Sequence, residues 1–140
     1  MSVKTVYKVL LRDQNNILWS SSQGLMSQEW EVRYEIGTEI RPNISGSLLL
    51  AFDSLATAAT FRWRVGLEVF EAESEDPINF PISTNNRWNE FWTAWVDNNN
   101  SLPKGFNRVK NFSGTLGCRS MTLIRKVKED EITQARTKTA

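Results

Sequence analysis

Histidine is missing from all 140 residues. That absence removes Ser-His and Cys-His nucleophile pairs, imidazole general bases and imidazole metal ligands together. Cysteine occurs once, at Cys118, which excludes an internal disulfide and a thiolate zinc or iron–sulfur site of the usual kind. No run of about 18 apolar residues is present, so no membrane span is expected. Residues 1–8 lack the apolar stretch of a secretory signal, and the expected location is the cytosol, a host cytosol if the protein is viral. On that expectation the Asn-x-Ser sequons at Asn43, Asn99 and Asn111 are chance matches in an Asn-rich chain. No catalytic residue, metal or cofactor is assigned. A hydrolase using carboxylates is the enzymatic alternative.

What is present fits one folded domain. Hydrophobic residues make up 40% and charged residues 24%, a balance that supports a core rather than general disorder. Six tryptophans stand out: Trp19, Trp30, Trp63, Trp88, Trp92 and Trp95. A buried indole needs a partner for its N–H, so this number means a bulky core or an exposed aromatic surface. The net charge of +1 hides an uneven distribution. Glu29 to Asp97 holds twelve acids and five bases, whereas Asn98 to Lys128 holds seven bases and no acid. Those bases either form a surface for anions or pair with acids on neighbouring strands.

Along the chain, β-branched and aromatic residues predict a strand over 4–11, and Asp13-Gln14-Asn15-Asn16 predicts a turn into a second strand at 17–20. Residues 20–28 read as a polar loop. Trp30, Val32 and Tyr34 alternate as one face of a strand. Gly37 marks a turn, residues 42–46 a loop, and 47–52 a short buried strand. Asp53 is expected to cap a helix running to Trp63, with Gly66 as its stop. A strand follows over 67–73, then an extended segment through Pro77 and Pro81. Trp88, Phe91, Trp92 and Trp95 fall at i, i+3, i+4 and i+7, which predicts a helix over about 86–97. Asn98, Asn99 and Asn100 end it. Met121, Leu123 and Val127 alternate within a last strand or strand pair over 115–127. The fold expected is α+β: a mostly antiparallel sheet with two helices packed on one face, a single domain over 1–127 and a flexible polar tail over 128–140.

Several segments together carry a resemblance: Tyr7-Lys8-Val9; Tyr34-Glu35-Ile36-Gly37; Leu50-Ala51-Phe52-Asp53-Ser54-Leu55 with Ala58 and Phe61; Val69-Phe70-Glu71-Ala72; and 116–123. This set resembles a loosely defined group of small, mostly uncharacterised single-domain proteins of phages, bacteria, large viruses and fungi, over roughly residues 5–127. The resemblance implies one domain and no particular activity, so no functional residue follows from it.

Candidate sites each have a plainer structural alternative. The Trp88–Phe91–Trp92–Trp95 stripe is the core face of a helix by its spacing, or else a stacking platform for a base, a sugar or a partner. Trp63 between Arg62 and Arg64 suits an anion, or else is a buried helix end whose arginines offset the dipole. Glu71, Glu73 and Glu75 share a strand face and read as a solvated surface rather than a metal or acid–base cluster. Cys118 reads as a small core residue. The expected role is a non-enzymatic binding or interaction protein with a basic and aromatic surface built from Arg108, Lys110, Arg119, Arg125, Trp63 and Arg62. Its partner is an anionic small molecule or a protein, and homo-oligomers fit too. The alternatives are sequestration of a nucleotide-like anion and sugar binding.

Overall fold

The computed structural model describes residues 2–20, 31–62, 66–80, 88–106 and 114–139, with the backbone alone at 88 and 137–139. Its elements are β1 (Val3–Arg12), β2 (Leu18–Ser20), β3 (Arg33–Tyr34), β4 (Glu39–Ile40), β5 (Leu49–Phe52), α1 (Leu55–Phe61), β6 (Glu68–Glu75), β7 (Ile78–Asn79), α2 (Trp88–Asp97), β8 (Thr115–Cys118), β9 (Met121–Lys126) and α3 (Glu129–Thr139). The α+β class and the antiparallel sheet agree with the sequence pattern, but the described residues hold three helices rather than two.

The strands run in the order β4-β9-β6-β1-β5-β8-β7, and β2 with β3 branches from the far end of β1. All these strand pairs are antiparallel. β8 and β9 stand four positions apart in that order, about 19 Å in a flat sheet. Yet only Arg119 and Ser120 separate them, and three Cα steps reach about 11 Å at most. The sheet must therefore curl. Its far side closes as well, because Ile36, two residues past β3, bridges to Leu123 of β9.

The inside of the curl is the main core. Val6, Leu10, Leu18, Tyr34, Leu49, Ala51, Phe70, Ala72, Cys118, Met121 and Leu123 meet there. Residues of opposite parity face outward: Val9, Val69 and Phe52 pack with Ala58 and Ala59 of α1 and Ile132 of α3. Leu48 and Leu50 pack on a third cluster of Phe80, Phe91, Trp92, Trp95 and Phe106, which holds α2. Gly117 makes that contact possible, since a Cβ there would lie 2.7 Å from Leu48 and 3.3 Å from Phe80.

Three local expectations need correction. The helix cap is Ser54, whose hydroxyl accepts the Thr57 N–H, while Asp53 accepts the Thr57 hydroxyl one residue earlier. Both are competent caps, and the extended backbone at Ser54 decides between them. Residues 129–139, expected as part of a frayed tail, form α3. Glu129, Asp130 and Glu131 occupy its first turn, where they complement the helix dipole. Ile132, fully buried, and Ala135 join α1 and Val127, and Arg136 donates to the carbonyls of Ala59 and Arg62. A single large apolar residue anchors the helix, too little for a visible period. Finally, Val127 does not share the Leu123 face. Arg125 pairs with Glu71 while Leu123 pairs with Ala72. Ile124 is thus an extra residue, and such a bulge reverses the face of everything after it.

Candidate functional site

A cleft of about 580 Å³ opens between the loop 41–48, the C-terminal end of α2, strand β7 and the β8–β9 bend. That volume is in the range of small-molecule sites. Among the described residues, two guanidinium groups line it, from Arg41 and Arg119, and no carboxylate does. Asn43, Ser45 and Asn100 add polar groups, and Ile44, Leu48, Ile78 and Trp95 supply apolar wall.

Each wall is held by identifiable interactions. The Trp95 indole N–H donates to the Gly46 carbonyl at 2.9 Å, tying the loop to α2. Gly46 has φ +94°, and a Cβ there would meet the Asn100 amide oxygen at 2.6 Å. A side chain there would be strained at this φ and would have to displace the Asn100 amide. Asn99 and Asn100 take φ +54° and +58°, and the Asn100 N–H bonds back to the Trp95 carbonyl at 2.8 Å. This is a left-handed helix end of the kind asparagine tolerates, as the Asn run suggested. Inside the loop the Ser47 hydroxyl donates to the Ile44 carbonyl. On the opposite wall, the buried Ser74 hydroxyl donates to the Ser120 carbonyl at 2.7 Å and fixes the bend that carries Arg119.

The sequence-predicted site residues separate in the fold. Arg119 is exposed on the cleft. Among the described residues no acceptor lies within hydrogen-bond or ion-pair distance of it. Arg125 is elsewhere: the bulge at Ile124 breaks the parity it would share with Arg119, and it pairs with Glu131 at 3.0 Å and Glu71 at 3.4 Å. Hydrogen bonding to Arg125 holds the Glu131 carboxyl below its ordinary pKa. Arg62 is 5% exposed and grips Glu129 at 2.7 Å, so it joins α1 to α3 rather than facing a ligand. Trp63, Arg108 and Lys110 lie outside the described residues. Phe91, Trp92 and Trp95 are buried against Phe80 and Phe106. These three rings form core and offer no open stacking platform; the Trp88 side chain lies outside the described residues. Of the acidic residues around β6, Glu68 pairs with Arg12 and Lys126, and Glu73 and Glu75 are exposed.

Sequence reading missed Arg41, Asn43 and Asn100 as companions of Arg119. Their signal was faint: loop residues beside Pro42 and Gly46, and an Asn triplet read only as a helix stop. It also missed Lys8, which lies inside the curl at 6% exposure. Its ammonium donates to the Leu50 carbonyl at 2.5 Å and sits 5.5 Å from the centre of the Tyr34 ring. Burial drives its pKa down to about 8. Burial likewise pushes the Tyr34 hydroxyl and the Cys118 thiol up.

A smaller hollow of about 330 Å³ is lined by Lys4, Thr5, Asp53 and Asn79 among others, and so holds groups of both charges. Among the described residues no helix is long and apolar enough to cross a membrane. The chain matches no family model, no curated protein and no solved structure, so the function of the cleft is read from its own geometry.

Proposed function

We propose that the protein is a non-enzymatic binding protein that holds a small anionic molecule in the cleft beneath Arg119. The observation that carries this is an arginine without a carboxylate partner among the described residues, set in a concave site that none of their acids lines. Three other exposed or half-exposed arginines do pair with glutamate: Arg12 with Glu68, Arg125 with Glu71 and Glu131, and Arg41, in the same cleft lining, with Glu39. Arg119 keeps its planar fork available, and that fork suits a carboxylate or phosphate through two parallel hydrogen bonds. The Leu48, Ile78 and Trp95 side would receive an apolar part of the ligand. Sequestration of such an anion is one role the site would serve.

The test is titration of ¹⁵N-labelled protein with small aromatic carboxylates and phosphate esters. Shifts should concentrate at Ser45, Gly46, Asn100 and Arg119. Arg119→Gln should weaken binding about tenfold or more, as expected for loss of a charge-assisted hydrogen bond. Binding should also weaken as salt rises. Equal affinity in wild type and Arg119→Gln would refute the site.

A further inference from the structure

The cleft has two guanidinium groups, but one is already engaged. Arg41 presents Nε and Nη2 to the same Glu39 oxygen, both at 3.0 Å. The partners are two residues apart and both exposed, so the pair forms locally, with Arg41 in the lining and Glu39 outside it. Its charge cancels that of Arg41 for any ligand close enough to feel both. Among the described residues the remaining boundary adds no positive charge. Trp95 and Asn100 bring the carbonyl end of α2 to the cleft, and a helix C-terminus carries partial negative charge. What the described residues leave is close to a single positive charge, at Arg119, beside an apolar wall.

We infer that the cleft selects a monoanion, a small carboxylate with an apolar body, and that Glu39 sets this limit by neutralising Arg41. The inference rests on the anion-binding reading of the cleft and narrows it. A phosphate monoester near pH 7.5 carries close to two charges, because its second pKa is about 6. Arg119 alone would match half of that charge, and Glu39 would repel the remainder. The Asn43 amide already donates to the Glu31 carbonyl, whereas the Asn100 side chain in the lining brings a neutral amide that suits the second oxygen of a carboxylate without adding charge.

Three probes of one shape separate the possibilities: phenylacetate, phenyl phosphate and uncharged 2-phenylethanol, titrated at pH 7.5 into wild type, Glu39→Gln and Arg119→Gln. Glu39 is exposed and Gln preserves its shape, so the variant should keep the fold. Wild type should bind phenylacetate at least as tightly as phenyl phosphate, and the alcohol about tenfold more weakly or worse. Glu39→Gln should improve phenylacetate by up to about fivefold, the value of a unit charge pair about 4 Å apart in water. The gain for phenyl phosphate should be about the square of that factor, because the interaction scales with ligand charge. The affinity order would then invert. If phenyl phosphate binds wild type tenfold tighter and Glu39→Gln leaves the ratio unchanged, the monoanion inference fails while the anion cleft stands. If neither charged probe binds, or if both survive Arg119→Gln, the cleft reading fails with it.

Discussion

Lys8 and Arg119 are both cations without a carboxylate partner among the described residues, yet the fold treats them in opposite ways. Lys8 lies within the curl, and its ammonium is met by one carbonyl and one aromatic ring. Arg119 lies at the sheet's bend, exposed on the cleft, with no acceptor in reach among the described residues. Lysine tolerates the first position because it has a neutral form within reach; burial shifts it toward that form. Arginine has none in practice. A guanidinium left without a partner must therefore stay in contact with water or with a ligand. The contrast separates a charge that the structure conceals from a charge that it displays.

The strongest challenge to this comparison is aimed at the rigid wall behind the cleft. Trp92 is 3% exposed and stacks on Phe80 at 5.8 Å with edge contacts to Phe91 and Trp95. Trp92→Ala should cost about 3–5 kcal/mol in denaturant melts, the usual result of emptying a buried aromatic site. A loss under about 1 kcal/mol would make α2 a loose cover, and a displayed Arg119 would then have no fixed cleft to serve.

The next test concerns the concealed charge. Lys8 has a folded pKa of about 8 against an ordinary 10.5. Between those values the unfolded chain binds the extra proton, so stability rises with pH across that window and is flat below it. The full effect is about 3 kcal/mol. Cys118 and Tyr34 face the same core, and their raised pKa values act in the opposite sense, above about pH 9 and 10 respectively. The informative quantity is therefore the difference between wild type and Lys8→Met in melts from pH 7 to 10. Wild type should gain on the variant from pH 8 upward. Parallel pH profiles would show that Lys8 reaches water.

The smallest expected change is in the stability of Arg119→Gln. A displayed charge without intramolecular partners should be worth less than about 0.5 kcal/mol to the fold. Its thermal melt should overlay wild type while anion binding falls. A destabilisation above about 1 kcal/mol would place Arg119 with Arg62 and Arg125 among the structural arginines and erase the contrast.

Much of the architecture was legible in the residues. The first hairpin followed from Asp13-Gln14-Asn15-Asn16: the Asp13 carboxylate accepts the N–H groups of Asn15 and Ile17 and the Trp19 indole, and Asn16 has φ +66°. The α2 stripe followed from spacing, and Phe91, Trp92 and Trp95 are core as that spacing required. Turn chemistry and helical period are local properties, and local properties survive without knowledge of the partners. The site was only partly legible for the same reason. Arg119, Arg125 and Arg62 look alike in sequence, and what separates them is where acids arrive from distant segments. Glu129 comes to Arg62 across 67 positions, and Glu71 comes to Arg125 across 54.

By itself the sequence determined the absence of imidazole and paired-thiol chemistry, the α+β class, the early hairpin, the aromatic helix and an excess of bases after Asn98. Tertiary structure alone decided that the sheet curls, because two residues cannot span a flat one. It decided that Ile124 bulges and sends Arg125 away from Arg119, and that an apparent tail becomes a helix held by Ile132 and Arg62. It also decided which cations are concealed, paired or displayed. Charge and shape along a chain are additive, but pairing depends on which segments close on one another, and that closure is set by the whole core at once.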